Sequence, residues 1–395
     1  MFMSCQIAFG LLLLQGTSML AQELTVRFRP EKEEYQVGEP VFLSLDVVNG
    51  GSQSVRISDG VCWTSVQFVV PDGSASRGVS LYGCAGTGTA GSCLSGARDL
   101  RPGQQLNRRF LVEGSSRVAS AGIYSAHVEH TTNIYAPDSF AMLESRKTVS
   151  DVDVVVREGT VERLLEAYRP LVQQARSPDP AARQFALAAI TQNPPAFLEP
   201  LLLEVAEDPH DAGAVIPGLA RLGTRAAKDK LAELARPKNP EALTQPAIQA
   251  LAEQGDRAYC PVMLDLAQQS AGYSKMIALR GAGYLCGEKA IPLAVRLLNS
   301  ADQSLRYELA YALGNTHARE AVPILFDLLA DKDENVRRAA ADALTTLIHR
   351  SQEPGIANVE AAAQARRAWM AWWTGYGRDA KIYGPEECAK YLAGQ

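Results

Sequence analysis

The stretch Gly283–Pro292, G-Y-L-C-G-E-K-A-I-P, overlays Gly314–Pro323, G-N-T-H-A-R-E-A-V-P, after a shift of 31 residues. Pro261, Pro292 and Pro323 keep that step, as do Leu266, Leu297 and Leu328, and Lys275, Arg306 and Arg337. Leu305 aligns with Val336, and Leu313 with Leu344. A fixed period of this size marks a stacked-repeat architecture. Each period reads as two helices. Proline in the first turn of a helix loses no hydrogen bond, because that N–H has no partner anyway. Ile291, Val295 and Leu298 then give the first helix an apolar side. Asp302 and Asp333 stand in the turn before the second helix and are expected to cap it. Arg306 and Arg337 follow four residues later on the same face, within reach of that carboxylate. Asp179 and Arg183 show the same spacing 123 residues before Asp302 and Arg306. The second helix buries Leu309 and Leu313, or Ala340 and Leu344. One such hairpin cannot bury both its faces and must stack on neighbours.

Helix pairs with Pro in the first helix and D-x-x-x-R in the second resemble HEAT repeats, and more narrowly the short HEAT-like repeats of the phycobilisome-lyase type. The resemblance implies an α-solenoid over residues 158–354, built of about six helix pairs. The pairs at 195–222 and 224–253 lack the Asp–Arg signature, and residues 355–395 are expected to be helices that cap the stack. Cys260 begins a first helix and Cys286 ends the second helix of the same pair. Antiparallel helices bring those ends together, so a Cys260–Cys286 disulfide is expected.

Upstream of residue 158 the grammar changes to period two. Leu24, Val26 and Phe28 alternate with Thr25, Arg27 and Arg29. Val41, Leu43, Leu45 and Val47 mark one face, with Ser44 and Asp46 on the other. Val66, Phe68 and Val70 repeat the pattern, as do Tyr124, Ala126 and Val128, then Val152, Val154 and Val156. Half-buried strands require this, since successive side chains point to opposite faces. Turns fall at Val37–Pro40, Asn49–Gly51, Pro71–Gly73 and Arg101–Gly103. Residues 22–157 therefore read as about seven short strands in a two-sheet antiparallel sandwich. Ala121–Ala126, A-G-I-Y-S-A, resembles the G-x-Y-x-C stretch of immunoglobulin-like domains, with Ala126 where that family often has Cys. Tyr35–Val41 resembles the opening of bacterial Ig-like modules. The fold class is thus multidomain: an N-terminal Ig-like β-sandwich followed by a HEAT-like α-solenoid.

Ile7–Leu14, I-A-F-G-L-L-L-L, has the length of a signal-peptide apolar core. Small residues follow at Gly16, Thr17, Ser18 and Ala21, which places cleavage near Ala21 and makes residues 1–21 a signal peptide. Export, to a bacterial periplasm or beyond, leaves Cys62, Cys84, Cys93, Cys260, Cys286 and Cys388 in an oxidising setting. Cys84 and Cys93 could close the Gly-rich loop between them, which leaves Cys62 over.

The 395 residues carry a net charge of −5, with 47 % apolar and 21 % charged side chains. That composition supports a buried core and lacks the basic excess that phosphate-backbone binding requires. No apolar run reaches the roughly 18–20 residues of a membrane span. Gly86–Gly91 spells G-x-G-x-x-G, but a dinucleotide site needs it between strand and helix. His127 and His130 flank Glu129, yet positions three apart on a strand face opposite ways, which argues against chelation. His210, His317 and His349 are scattered over turns and helix ends, and Glu31, Glu33 and Glu34 read as a solvated stretch. No G-x-S-x-G occurs. Neither a catalytic set, a metal site nor a cofactor is expected.

Two candidate partner surfaces remain. Trp369, Trp372 and Trp373 share one helical face, which either seals the end of the stack or forms a recognition hot spot. Lys275, Arg306 and Arg337 form a column that either holds second helices in register or contacts an acidic peptide or glycan. The expected function is a non-catalytic exported scaffold or adaptor that binds protein partners. The alternatives are a protease inhibitor acting through loop 83–93, and a bilin-lyase-like enzyme implied by the repeat resemblance.

Overall fold

The alternating N-terminal runs form strands and the three-and-four runs form helices in a computed structural model that describes residues 24–58, 64–69, 75–76, 97–112, 120–136, 141–348 and 358–384. The expected signal segment 1–21, the stretch 83–93, the Gly86–Gly91 motif, His349 and Cys62, Cys84, Cys93 and Cys388 lie outside the described residues.

The strands are β1 (Leu24–Pro30), β2 (Tyr35–Gln36), β3 (Phe42–Asn49), β4 (Val55–Ser58), β5 (Thr64–Val69), β6 (Ala75–Ser76), β7 (Ala97–Leu100), β8 (Gln105–Leu111), β9 (Gly122–Tyr135) and β10 (Met142–Arg157). One sheet runs β1-β3-β8. The other runs β2-β10-β9-β4-β7, with β5 on β9 and β6 on β5, and curls into a half-barrel. Leu43, Leu45 and Phe110 of the first sheet share one apolar core with Ile57, Tyr124, Val128 and Val154 of the second. The Tyr124 hydroxyl donates to the Ser120 carbonyl at 2.8 Å.

Three expectations give way here. Pairing is not wholly antiparallel, because β2 joins β10 in parallel. The strands are not all short: β9 has 14 residues and β10 has 16. A long β9 can serve β4 and β5 in succession along one edge. Finally, Ser44 and Asp46 are not on a solvent face. Strand β3 lies between β1 and β8, so Asp46 is 7 % exposed. It accepts hydrogen bonds from Arg29 Nε (2.9 Å), Gln105 Nε2 (2.7 Å) and Asn107 Nδ2 (2.6 Å). Burial pushes its pKa up, but these donors and the Arg29 charge win and hold it below the usual carboxylate value.

The chain divides into two compact units, Met1–Phe197 and Leu198–Gln395. The first unit extends past the composition change to include α1 (Val161–Gln174) and α2 (Pro180–Thr191). Thr160 caps α1 and Asp179 caps α2. Specific contacts tie this helix pair to the strands. The Tyr168 hydroxyl donates to the Gly38 carbonyl at 3.0 Å. Phe185 stacks against Phe42 at 5.7 Å, and the Arg109 guanidinium lies 3.8 Å from the Phe42 ring centre.

The second unit holds α3 (Glu199–Val205), α4 (Ala212–Leu222), α5 (Arg225–Leu234), α6 (Glu241–Glu253), α7 (Cys260–Gln269), α8 (Gly272–Cys286), α9 (Ile291–Leu297), α10 (Gln303–Asn315), α11 (Ala321–Leu329), α12 (Glu334–Ile348) and α13 (Val359–Gly375). Helices α3 to α12 form successive hairpins. Their second members, α4, α6, α8, α10 and α12, pack on one another, while each first member packs chiefly on its own partner. The Gly283/Gly314 column explains the close approach. A Cβ on Gly283 would sit 2.1 Å from the Ala312 carbonyl oxygen, and one on Gly314 would sit 2.9 Å from Ala343 Cβ. Glycine is therefore required where α8 meets α10, and α10 meets α12.

Candidate binding groove on the second helices

Close packing of second helices leaves their outward positions in register as a continuous face. Between α6, α8 and α10 that face sinks into a groove of about 480 Å³. Ala252, Ile277 and Gly281 supply small and apolar lining, and Tyr273 and Tyr284 stand at 55 % and 48 % exposure. Glu253, Arg280 and Glu308 supply charge. Arg280 and the buried Glu308 form a forked pair, with Nε to Oε2 at 2.9 Å and Nη2 to Oε1 at 2.8 Å. The Arg280 guanidinium lies 5.5 Å from the Tyr311 ring centre, within cation–π range. Tyr307 donates to the Tyr311 hydroxyl at 3.3 Å. The Tyr307 phenol beside it, which titrates together with it, and burial push the Tyr311 hydroxyl up to about 12. The groove offers aromatic faces and carboxylates suited to recognition.

The residues singled out from the sequence have different fates. Arg306 and Arg337 are each 3 % exposed and present no surface to a partner, which corrects their reading as a contact column. Lys275 is half-buried. The Asp–Arg spacing also works differently from the expected ion pair. Asp302 Oδ1 accepts from the N–H groups of Ser304 (2.9 Å) and Leu305 (3.3 Å), a helix cap. Arg306 turns the other way. Its Nη1 donates to the carbonyls of Ser300 (2.7 Å) and Ala301 (3.2 Å), and its Nε to Asp331 Oδ2 of the next hairpin (2.7 Å). Arg337 donates likewise to the Asp331 (2.9 Å) and Lys332 (3.1 Å) carbonyls, and Arg183 to Ser177 (2.9 Å). In all three cases the guanidinium ties down the carbonyl six residues earlier, in the turn between the two helices.

The tryptophans dock back on the stack. Trp369 is buried, with its ring 6.1 Å from Phe326 of α11, and Trp373 lies 6.3 Å from Phe326. Trp372 packs edge-on against Trp369 at 5.7 Å. The Arg319 guanidinium is 5.6 Å from the Trp373 ring, and His317 Nδ1 lies 2.7 Å from the Tyr383 carbonyl oxygen. Cys260 and Cys286 are buried with Cα atoms 5.0 Å apart, a separation that a disulfide spans.

His127 and His130 do face opposite ways. His127 pairs with Asp151 at 2.7 Å on the outer side. His130 is buried, 5.8 Å from the Phe28 ring, and burial lowers its pKa to about 4. Among the described residues no group of three or more His, Cys, Asp and Glu side chains is placed to hold a metal ion, and no helix is long and apolar enough to cross a membrane.

Sequence reading missed Tyr273, Tyr284, Arg280, Tyr311 and Glu308. A signal was present: Gln249, Arg280 and Tyr311 follow one another at the 31-residue step on second helices. Outward positions keep the same 31-residue period as the core positions, and that period marks the column.

The fold and this face define a helical-repeat protein. The family model described as HEAT repeats matches residues 290–369. The chain is 30 % identical over 145 residues to deoxyhypusine hydroxylase of Bos taurus, covering 34 % of this chain and 46 % of that protein. It thus spans about half the length of this curated relative. Among solved structures, an engineered protein is similar at 20 % identity and a TM-score of 0.23, covering 57 % of this chain and 93 % of that one. The periplasmic chaperone SfaE is similar at 11 % identity and a TM-score of 0.19, covering 34 % and 59 %.

Proposed function

We propose that this chain is a non-catalytic, exported scaffold or adaptor that binds protein partners along the second-helix face of its HEAT-repeat region, with an Ig-like β domain ahead of it. The groove between α6, α8 and α10 carries the reading: exposed tyrosines and a forked ion pair on a rigid helical stack suit protein recognition. The apolar core Ile7–Leu14 and the paired Cys260 and Cys286 support export. The Tyr124–Ser120 bond, made by a tyrosine to backbone a few residues upstream, supports the Ig-like assignment.

The test is affinity capture from native envelope fractions with the full chain and with Tyr284→Ala. A partner retained by the wild type and lost by the variant is the expected result. A partner held equally by both would remove the groove from the reading. The relative at 30 % identity is an enzyme. Hydroxylation of a deoxyhypusine-bearing protein by the purified chain would replace the adaptor reading with a catalytic one.

A further inference from the structure

We propose that the groove selects an extended peptide segment carrying lysine or arginine, and seats one such side chain against Tyr284 and Glu253, with Tyr273 lining the groove about three helical turns away. This rests on the binding reading above and names the partner's chemistry.

The first observation is charge. The outward positions of α6, α8, α10 and α12 carry two guanidiniums, each already occupied: Arg280 pairs with Glu308, and Arg338 with Glu334. The carboxylates of Glu241, Glu253 and Asp342 have no ion pair among the described residues. Gln245 and Gln249 donate to Glu241 and Glu253, which orients these carboxylates without neutralising them. The face therefore keeps a surplus of negative charge beside exposed rings.

The second observation is the end of α6. Glu253 is its last residue, and the last turn contains no basic side chain. The partial negative charge of a helix C-terminus adds to that carboxylate and favours a cation there. Tyr284 leans over the same end: a Cβ on Gly255, which follows α6 with φ at +65°, would lie 3.7 Å from the Tyr284 hydroxyl.

The third observation is internal. One hairpin further on, Arg280 already occupies a pocket of this kind, gripped by Glu308 and lying against the Tyr311 ring. The surroundings of Glu253 offer the same parts, a carboxylate and a tyrosine face, and the groove's own guanidinium, Arg280, is paired with Glu308 instead. Arginine and lysine are the peptide side chains that satisfy both parts together.

The test is selection from a displayed library of random 12-residue peptides on the full chain, followed by fluorescence anisotropy of the enriched peptides. Enrichment of Lys and Arg over the input pool is expected. Binding should weaken about tenfold or more in the Glu253→Gln, Tyr284→Ala double variant and fall with rising salt. Glu320→Gln, an exposed carboxylate elsewhere, should bind as the wild type does. Both groove residues are exposed, so thermal melting should confirm an intact fold. Enrichment of acidic or uncharged peptides that still need Tyr284 would overturn this inference and leave the binding function standing. If no enriched peptide depends on Tyr284 or Glu253, both fall. Basic peptides that bind the double variant as tightly as the wild type would reduce the selection to bulk charge attraction and also overturn it.

Discussion

The hairpins α9–α10 and α11–α12 carry the Asp–Arg signature, whereas α5–α6 does not, yet all three fold as stacked helix pairs. The difference lies in who satisfies the turn. In the later pairs a buried arginine from the second helix binds the turn carbonyls, and an aspartate caps that helix. In α5–α6 the turn supplies its own donor: Asn239 Nδ2 bonds the carbonyls of Glu233 (2.9 Å) and Leu234 (3.0 Å). Pro240 then stands at the cap position of α6, which has no side-chain cap. In α7–α8 Ala271 offers no side-chain cap, and the facing Cys260 and Cys286 lie at the opposite end of the hairpin from this turn. A repeat requires that the orphan carbonyls at the end of its first helix find donors. It does not require one residue to provide them.

The strongest way to break this comparison is Arg306→Met. It strips the turn of its donor and strands Asp331, itself largely buried. Removing one partner of such a pair should cost about 3–5 kcal/mol in chemical denaturation. A loss near zero would mean that the arginine is dispensable. The pH dependence sharpens this. Burial pushes Asp331 up, but the Arg306 hydrogen bonds, the Asp333 N–H and the Arg306 charge hold it below the usual carboxylate value. Its folded pKa is depressed, so the stability it adds is present above about pH 4 and is lost as pH falls through the folded value. Arg306→Met should therefore show a shallower acid limb than the wild type.

Gly283→Ala comes next. Its Cβ would meet the Ala312 carbonyl, and overpacking of this kind should cost about 1–3 kcal/mol with a matching drop in melting temperature. A neutral result would show that α8 and α10 can part freely. Asn239→Ala tests the earlier hairpin. Losing two neutral hydrogen bonds to the turn should cost about 1–2 kcal/mol. Asp302→Ala removes a cap and should cost about 1 kcal/mol. If Asn239→Ala proved as damaging as Arg306→Met, the two turns would be energetically alike despite their different residues.

Much of the helical stack was legible because its determinants are local and periodic. Pro292 and Pro323 announce first helices, Asp302 and Asp333 announce second ones, and the 31-residue step implies stacking. The cysteine pair was legible for the same reason, since hairpin geometry alone brings Cys260 and Cys286 together. The direction of Arg306 was not. Four residues from Asp302 it could reach that carboxylate, and sequence spacing does not reveal that Asp331 and two carbonyls compete for it. Asp46 was misplaced because alternation shows which side chains share a face, but not whether a strand has neighbours on both edges.

Taken alone, the order of residues determined the two regimes, the period of the repeat and the positions of caps and starts, because each depends on contacts within a few turns of chain. Tertiary structure decided which polar side chains are buried, that the first helix pair packs with the strands, and that Tyr273, Tyr284, Glu253 and Arg280 meet in one groove. Those outcomes depend on the spacing between neighbouring helices, set by packing between residues about 30 positions apart, such as Gly283 and Ala312.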